Sequence, residues 1–243
     1  MHRTGELYGH FETLEQQKES AALGMWIFLV TEVLFFGGLF LTYTINRHAY
    51  PTAFGAGSNT LDLTLGGFNT VVLIMSSLTM AMSVWAAHVG KKKQITGFLI
   101  ATLVLGSAFL GVKVVEYKQK FDHHLVPGYH FQIDYRAQNP GPQDDPKEIE
   151  AEKDELAKGF ERDPDLNAHS QLYFSLYFGM TGLHALHMIV GAGMLLWLIK
   201  QSIAGRFTPT YNTPVEMIGL YWHFVDIVWI YLFPLLYLID RHH

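Results

Sequence analysis

The sequence predicts an all-α, polytopic membrane helical bundle with five transmembrane helices, and three observations carry that prediction. Apolar residues make up 49% of the 243 positions and charged residues only 16%, an unusual balance for a chain that lives in water. Eighteen of the 39 Asp, Glu, Lys and Arg residues fall within residues 119–167, so the rest of the chain is nearly stripped of charge. Five apolar stretches each reach the 20 or so residues needed to cross about 30 Å of hydrocarbon. A net charge of −5 without a basic face excludes a nucleic-acid binder. The absence of cysteine removes disulfides, thiolate zinc sites, iron–sulfur clusters and cysteine nucleophiles.

Residues 1–20 form a polar lead with Glu12, Glu15 and Glu19. The lead is too long and too acidic for the start of a secretory signal, so the first apolar run (21–45) is expected to be a retained span. Residues 47–65, with Pro51, Gly55, Gly57 and Ser58, read as a loop before the second span (66–88). A tight turn carrying Lys91, Lys92 and Lys93 leads to the third span (95–117), so residues 21–118 hold three helices. Residues 119–169 then form an acidic insertion. Within it Asp145 is placed to cap a helix, Pro146 to occupy its first position and Glu148 its third, which predicts a short helix over 146–157. Its acids Glu148, Glu150, Glu152, Asp154 and Glu155 form either a solvated surface or a docking surface for a basic partner. Residues 170–243 hold the fourth span (171–199) and the fifth (214–239). Short connections carry Arg3, Lys18, Lys91, Lys92, Lys93, Lys200 and Arg206 on one side, against Arg47 and Arg241 on the other. That asymmetry predicts a cytoplasmic N-terminus, a periplasmic insertion and a periplasmic C-terminus. Lys200 and Arg206 then stand at a cytoplasmic interface as candidates for lipid headgroups.

Ionisable groups at membrane depth are costly and mark sites by default. The first span has Glu32, the third Lys113 and Glu116, the fourth His184 and His187, and the fifth Glu216, His223 and Asp226. Residues three apart share a helix face, so Lys113 with Glu116 is expected to form an ion pair. His184, His187, Glu216, His223 and Asp226 are expected to form a structural polar cluster rather than a metal site. Two Glu-x-x-His motifs, which a di-iron bundle needs, are absent. Glu32 has no base within its own helix and is expected to hydrogen-bond a neighbouring helix or a lipid. Read this way, the chain has no catalytic residue and no cofactor of its own. A stand-alone membrane b-type cytochrome or metal protein is the alternative from another class.

Residues 26–40 (WIFLVTEVLFFGGLF), 179–191 (GMTGLHALHMIVG) and 221–230 (YWHFVDIVWI) resemble the signature stretches of subunit III of haem-copper respiratory oxidases, in its five-helix bacterial form. Asn69-Thr70, Ser76-Ser77, Thr79, Leu105-Gly106 and Glu116-Tyr117 add to the resemblance, which runs through all five spans in family order. It implies an accessory subunit without a redox centre. Haem and copper are expected in partner subunits, with direct packing on subunit I and with subunit II in the same complex. Phospholipid binding, support of proton uptake, and protection of a proton-pumping, oxygen-reducing site in a bacterial inner membrane are implied as well. Cytochrome c, or a cytochrome c domain, is a possible partner in such a complex. Glu32 corresponds to the family's buried glutamate, His184 and His187 to its paired histidines, and Glu216, His223 and Asp226 to the polar stripe of its last helix. The resemblance extends to quinol oxidase subunit III and to the related protein associated with nitric oxide reductase. Glutamate rather than aspartate at position 32 favours a cytochrome c oxidase of the aa3 or caa3 type. Three features depart from mitochondrial relatives: the two additional N-terminal helices of the seven-span form are missing, Lys113 replaces a glutamine, and the acidic insertion is added.

Overall fold

The computed structural model describes residues 11–141 and 145–238. Among them there are helices and turns and no strand. Eight α-helices follow in order: α1 (Leu14–Ala49), α2 (Pro51–Asn59), α3 (Leu63–Val89), α4 (Lys92–Asp122), α5 (Tyr135–Gln138), α6 (Pro146–Arg162), α7 (Leu166–Ile203) and α8 (Thr213–Phe233). A π-helical turn, Pro234–Leu238, continues α8. With that turn included, α1, α3, α4, α7 and α8 are the five helices long and apolar enough to cross a membrane. The five spans expected from the sequence are therefore present.

The ends of the helices are set by local chemistry. Thr13 Oγ1 accepts the Gln16 N–H at 3.1 Å and Gln16 Oε1 accepts the Glu12 N–H at 2.8 Å, a reciprocal cap that starts α1 before its apolar run. Asp62 Oδ1 caps α3 by accepting the N–H groups of Thr64 and Leu65. At the end of α3 the Lys91 N–H reaches the Ala86 carbonyl across Gly90, whose φ of +76° only glycine adopts freely. Gly205, with φ +70°, closes α7 in the same way through Arg206 N–H to Gln201 O.

Two segments differ from the sequence expectation. Residues 47–65 hold a helix, α2, because Pro51 presets its first turn and Phe54 is buried against Tyr43 and Tyr173, with ring centroids 5.2 and 5.4 Å apart. The insertion helix α6 runs to Arg162 instead of stopping at 157. Its last turns bury Leu156 and Gly159, and Asp163 closes it.

The chain divides into two compact units, each drawing on all five long helices. In the first (Met1–Phe36, Phe68–Leu110, His184–Ile230), Trp222 of α8 is held by two glycines. A Cβ on Gly106 of α4 would lie 2.8 Å from its ring, and one on Gly191 of α7 would lie 2.9 Å from it. Trp222 Nε1 donates to Ser76 Oγ at 3.1 Å, and Trp229 Nε1 to Thr70 Oγ1 at 3.1 Å. Indole N–H groups that would be costly to bury alone thereby tie α8 to α3. In the second unit (Gly37–Gly67, Gly111–Leu183, Tyr231–His243), Pro234 removes an N–H from α8 and interrupts its bonding pattern. The Leu236 carbonyl in that turn accepts Ser58 Oγ at 2.9 Å and Tyr173 OH at 3.2 Å.

Candidate functional site

On α1, Leu29 and Phe36 are buried while Val30, Val33, Leu34 and Phe35 are exposed. Glu32 shares the inward stripe of Leu29 and Phe36, and that places its carboxyl toward α7. Its Oε2 lies 3.2 Å from His187 Nε2, with side-chain exposures of 20% and 16%, so the neighbour expected for Glu32 is an imidazole. Phe36 (5.4 Å between centroids) and Tyr221 (6.4 Å, stacked) flank that ring. Tyr221 OH donates to the His187 carbonyl at 3.0 Å.

The other polar residues singled out in the sequence have separate surroundings. His184 is buried beside Phe109 and Trp229, at 5.5 and 5.2 Å between centroids. Glu216, in the first turn of α8, lies 3.0 Å from His88 Nε2 at the end of α3, and His88 Nδ1 meets Asn212 Nδ2 at 3.0 Å. His223 Nδ1 is 2.7 Å from Ser77 Oγ of α3. Asp226, one turn on, is 3% exposed. Lys200 and Arg206 are exposed, at the last turn of α7 and in the connection after it.

In the second unit Lys113 and Glu116, 5% and 3% exposed, form a contact of 2.7 Å. Lys113 Nζ also donates to Tyr237 OH at 2.7 Å. The remaining carboxylate oxygen of Glu116 accepts Tyr177 OH at 2.7 Å and Tyr237 OH. The buried ions are thus neutralised and hydrogen-bonded together, which is what makes such a pair tolerable. Nearby, Lys120 is buried with Nζ donating to the Thr60 carbonyl.

His88, Tyr177, Tyr237 and Lys120 were not singled out from the sequence, and Ser77 entered there only as part of the family resemblance. Each is polar within or beside a span, but its partner lies far along the chain, and no spacing within one helix reveals it. Among the described residues no three His, Cys, Asp or Glu side chains are grouped so as to hold a metal ion. The arrangement supports polar ties between helices.

The family model described as cytochrome c oxidase subunit III matches residues 1–123 and 165–240. The chain belongs to that family. Subunit III of the cytochrome bo(3) ubiquinol oxidase of Pseudomonas aeruginosa is 30% identical over 220 residues, covering 90% of this chain and 85% of the relative. The cytochrome c oxidase subunit 3 of Thermostichus vulcanus is 28% identical over 220 residues, 90% of this chain and 87% of the relative. That of Corynebacterium diphtheriae is 28% identical over 222 residues, 90% and 88%. This subunit III is a multi-pass membrane protein of an oxidoreductase complex. The stretch between the two matched segments holds α5 and α6, so the acidic insertion lies outside the family's shared core.

Proposed function

We propose that the chain is the accessory, non-redox subunit III of a bacterial aa3 or caa3 cytochrome c oxidase, packed on subunit I, binding phospholipid, and supporting proton uptake and catalytic lifetime. The observation that carries this reading is the Glu32–His187 contact, built from two signature stretches and placed on the inward stripe of α1. A polar tie of this kind holds α1 to α7 while α1 turns Trp26, Ile27, Val33 and Leu34 outward, toward lipid or a neighbouring subunit. Lys200 and Arg206 are assigned to lipid phosphates at the cytoplasmic interface, and the distribution of bases supports a cytoplasmic N-terminus. On this reading haem and copper reside in subunits I and II.

A quinol oxidase is the second reading, favoured by the similarity to the ubiquinol oxidase subunit of Pseudomonas aeruginosa. Isolation of the native complex tests both. An oxidase that consumes oxygen with reduced cytochrome c as donor supports the first reading; one that turns over only with quinol replaces it with the second. Within either complex, Glu32→Gln is expected to assemble, because the amide still hydrogen-bonds. Glu32→Ala is expected to shorten the number of turnovers before inactivation. Equal lifetimes for Glu32→Ala and wild type would remove the assigned role.

A further inference from the structure

Between α3 and α8, in the first unit, lies a cavity of about 220 Å³ lined by Leu73, Ile74, Ser77, Leu78, Ala81, His223, Asp226 and Ile230. Its rim is apolar and open: Ile74, Leu78 and Ile230 are 51%, 52% and 46% exposed. Its polar members are of a different kind. Ser77 Oγ engages His223 Nδ1 at 2.7 Å. Asp226 is buried with its carboxyl beside the Ser77 hydroxyl, a single O–H group that His223 Nδ1 also engages, so its two carboxyl oxygens are left short of donors among the described residues. Buried acceptors are almost always satisfied in a native assembly, and a carboxyl facing hydrocarbon is costlier still.

Depth limits what can satisfy it. Asp226 is the fourteenth of 26 residues in the span Thr213–Leu238, and Ser77 the fifteenth of 27 in α3. At 1.5 Å per residue each is about 20 Å from either end of its helix, beyond the half-thickness of about 15 Å that separates the membrane centre from the headgroups. Phospholipid headgroups therefore fall short, and acyl chains bring no donor. The chain is one subunit of a larger membrane complex, so helices of other subunits are available at this depth. Ala81 on the rim presents only a methyl group to an approaching helix.

We propose that the notch between α3 and α8, floored by Ser77, His223 and Asp226, is a socket at mid-membrane depth for a hydrogen-bond-donating side chain on a transmembrane helix of a neighbouring subunit. Donors of the Asn, Gln, Ser, Thr, Tyr, Trp or Arg type fit it, and a purely aliphatic helix does not. The inference rests on membership of a multisubunit complex and not on which donor feeds electrons to the oxidase.

The test uses the native complex with a photo-crosslinking amino acid at Leu78 on the rim. Irradiation is expected to give an adduct whose partner peptide is a transmembrane segment of another subunit carrying a donor at mid-span. Adducts confined to lipid or quinone, an aliphatic partner segment, or no adduct, which would leave the notch to water, overturn the proposal. Asp226→Leu provides a second readout, since it removes both acceptors, while Asp226→Asn keeps one. The ratio of this chain to haem after detergent extraction is expected to fall roughly threefold to twentyfold in Asp226→Leu, the equivalent of about 0.6–1.7 kcal/mol for one interhelical hydrogen bond. It is expected to hold in Asp226→Asn. Equal retention of Asp226→Leu and wild type counts against the socket, and if that variant fails to insert the crosslink decides. A wild-type chain that purifies without haem-bearing partners would defeat the oxidase reading too, whereas lipid-only adducts in an intact oxidase defeat the socket alone.

Discussion

Replacing Lys113 by methionine keeps the length of the apolar stem and removes the charge from the most enclosed ion pair in the second unit. At 2.7 Å between Nζ and Oε2, and an effective dielectric constant of about 20, the gross attraction is about 6 kcal/mol. Desolvating two ions consumes most of that, so the pair as a whole contributes little net stability. Removing one partner is different, because Glu116 then stays buried without its counter-charge. Such losses run to about 3–5 kcal/mol. Tyr177 and Tyr237 still donate to Glu116, which puts the expected cost near the lower end, about 3 kcal/mol. The double variant Lys113→Met with Glu116→Leu removes both ions and is expected to recover most of the loss. Unfolding in mixed detergent micelles titrated with a denaturing detergent, followed by circular dichroism, gives the free energies for the cycle. A Lys113→Met variant within about 0.5 kcal/mol of wild type, or a double variant no better than the single, would refute the reasoning and mean that water reaches the pair.

Gly106→Ala and Gly191→Ala would each drive a methyl group into Trp222. Each is expected to lower stability by about 1–3 kcal/mol through overpacking in the same titration, and an unchanged midpoint would contradict the close packing. Arg136 lies 3.8 and 3.4 Å from Glu148 and Glu152 of α6. Arg136→Ala is expected to cost under about 1 kcal/mol in stability, as solvent-screened pairs do, while increasing proteolytic cleavage within α6; an unaltered digestion pattern would show that the helix is held by other contacts. Because the chain has no native cysteine, single cysteines at Asp145 and Glu155 give a clean test of orientation. Both are expected to react with a membrane-impermeant maleimide from the periplasmic side, and reaction only from the cytoplasmic side would reverse the assigned topology.

The acids of α6 show how tertiary contacts redistribute a charge pattern. In the sequence Glu148, Glu150, Glu152, Asp154 and Glu155 form one acidic run. In the structure Glu148 and Glu152 face Arg136, and Glu155 accepts the Asn59 amide at 2.5 Å. Lys147, Lys153 and Lys158 are exposed on the same helix, which dilutes the field a basic partner would meet. A docking role for this helix therefore falls mainly to Glu150 and Asp154.

The five spans and the cap at Asp145 were legible in the sequence; the cap at Asp62 and the glycine turns at Gly90 and Gly205 were not singled out there, although they obey the same short-range rules. Hydrocarbon thickness and backbone hydrogen bonding act over a single helix, so composition and spacing within one segment suffice. Lys113 and Glu116 were legible as a pair for the same reason, being three residues apart. The partners across helices were not. Glu32 meets His187 over 155 residues of chain and Lys113 meets Tyr237 over 124, and which rotation each helix adopts depends on how bulky residues such as Trp222 seat against glycines elsewhere. The helical order within residues 47–65 was hidden because glycine and serine there disfavour a helix on their own, and burial of Phe54 against Tyr43 and Tyr173 outweighs that preference. Propensity and periodicity thus determined which segments cross the membrane, while side-chain packing between helices decided which polar groups face one another.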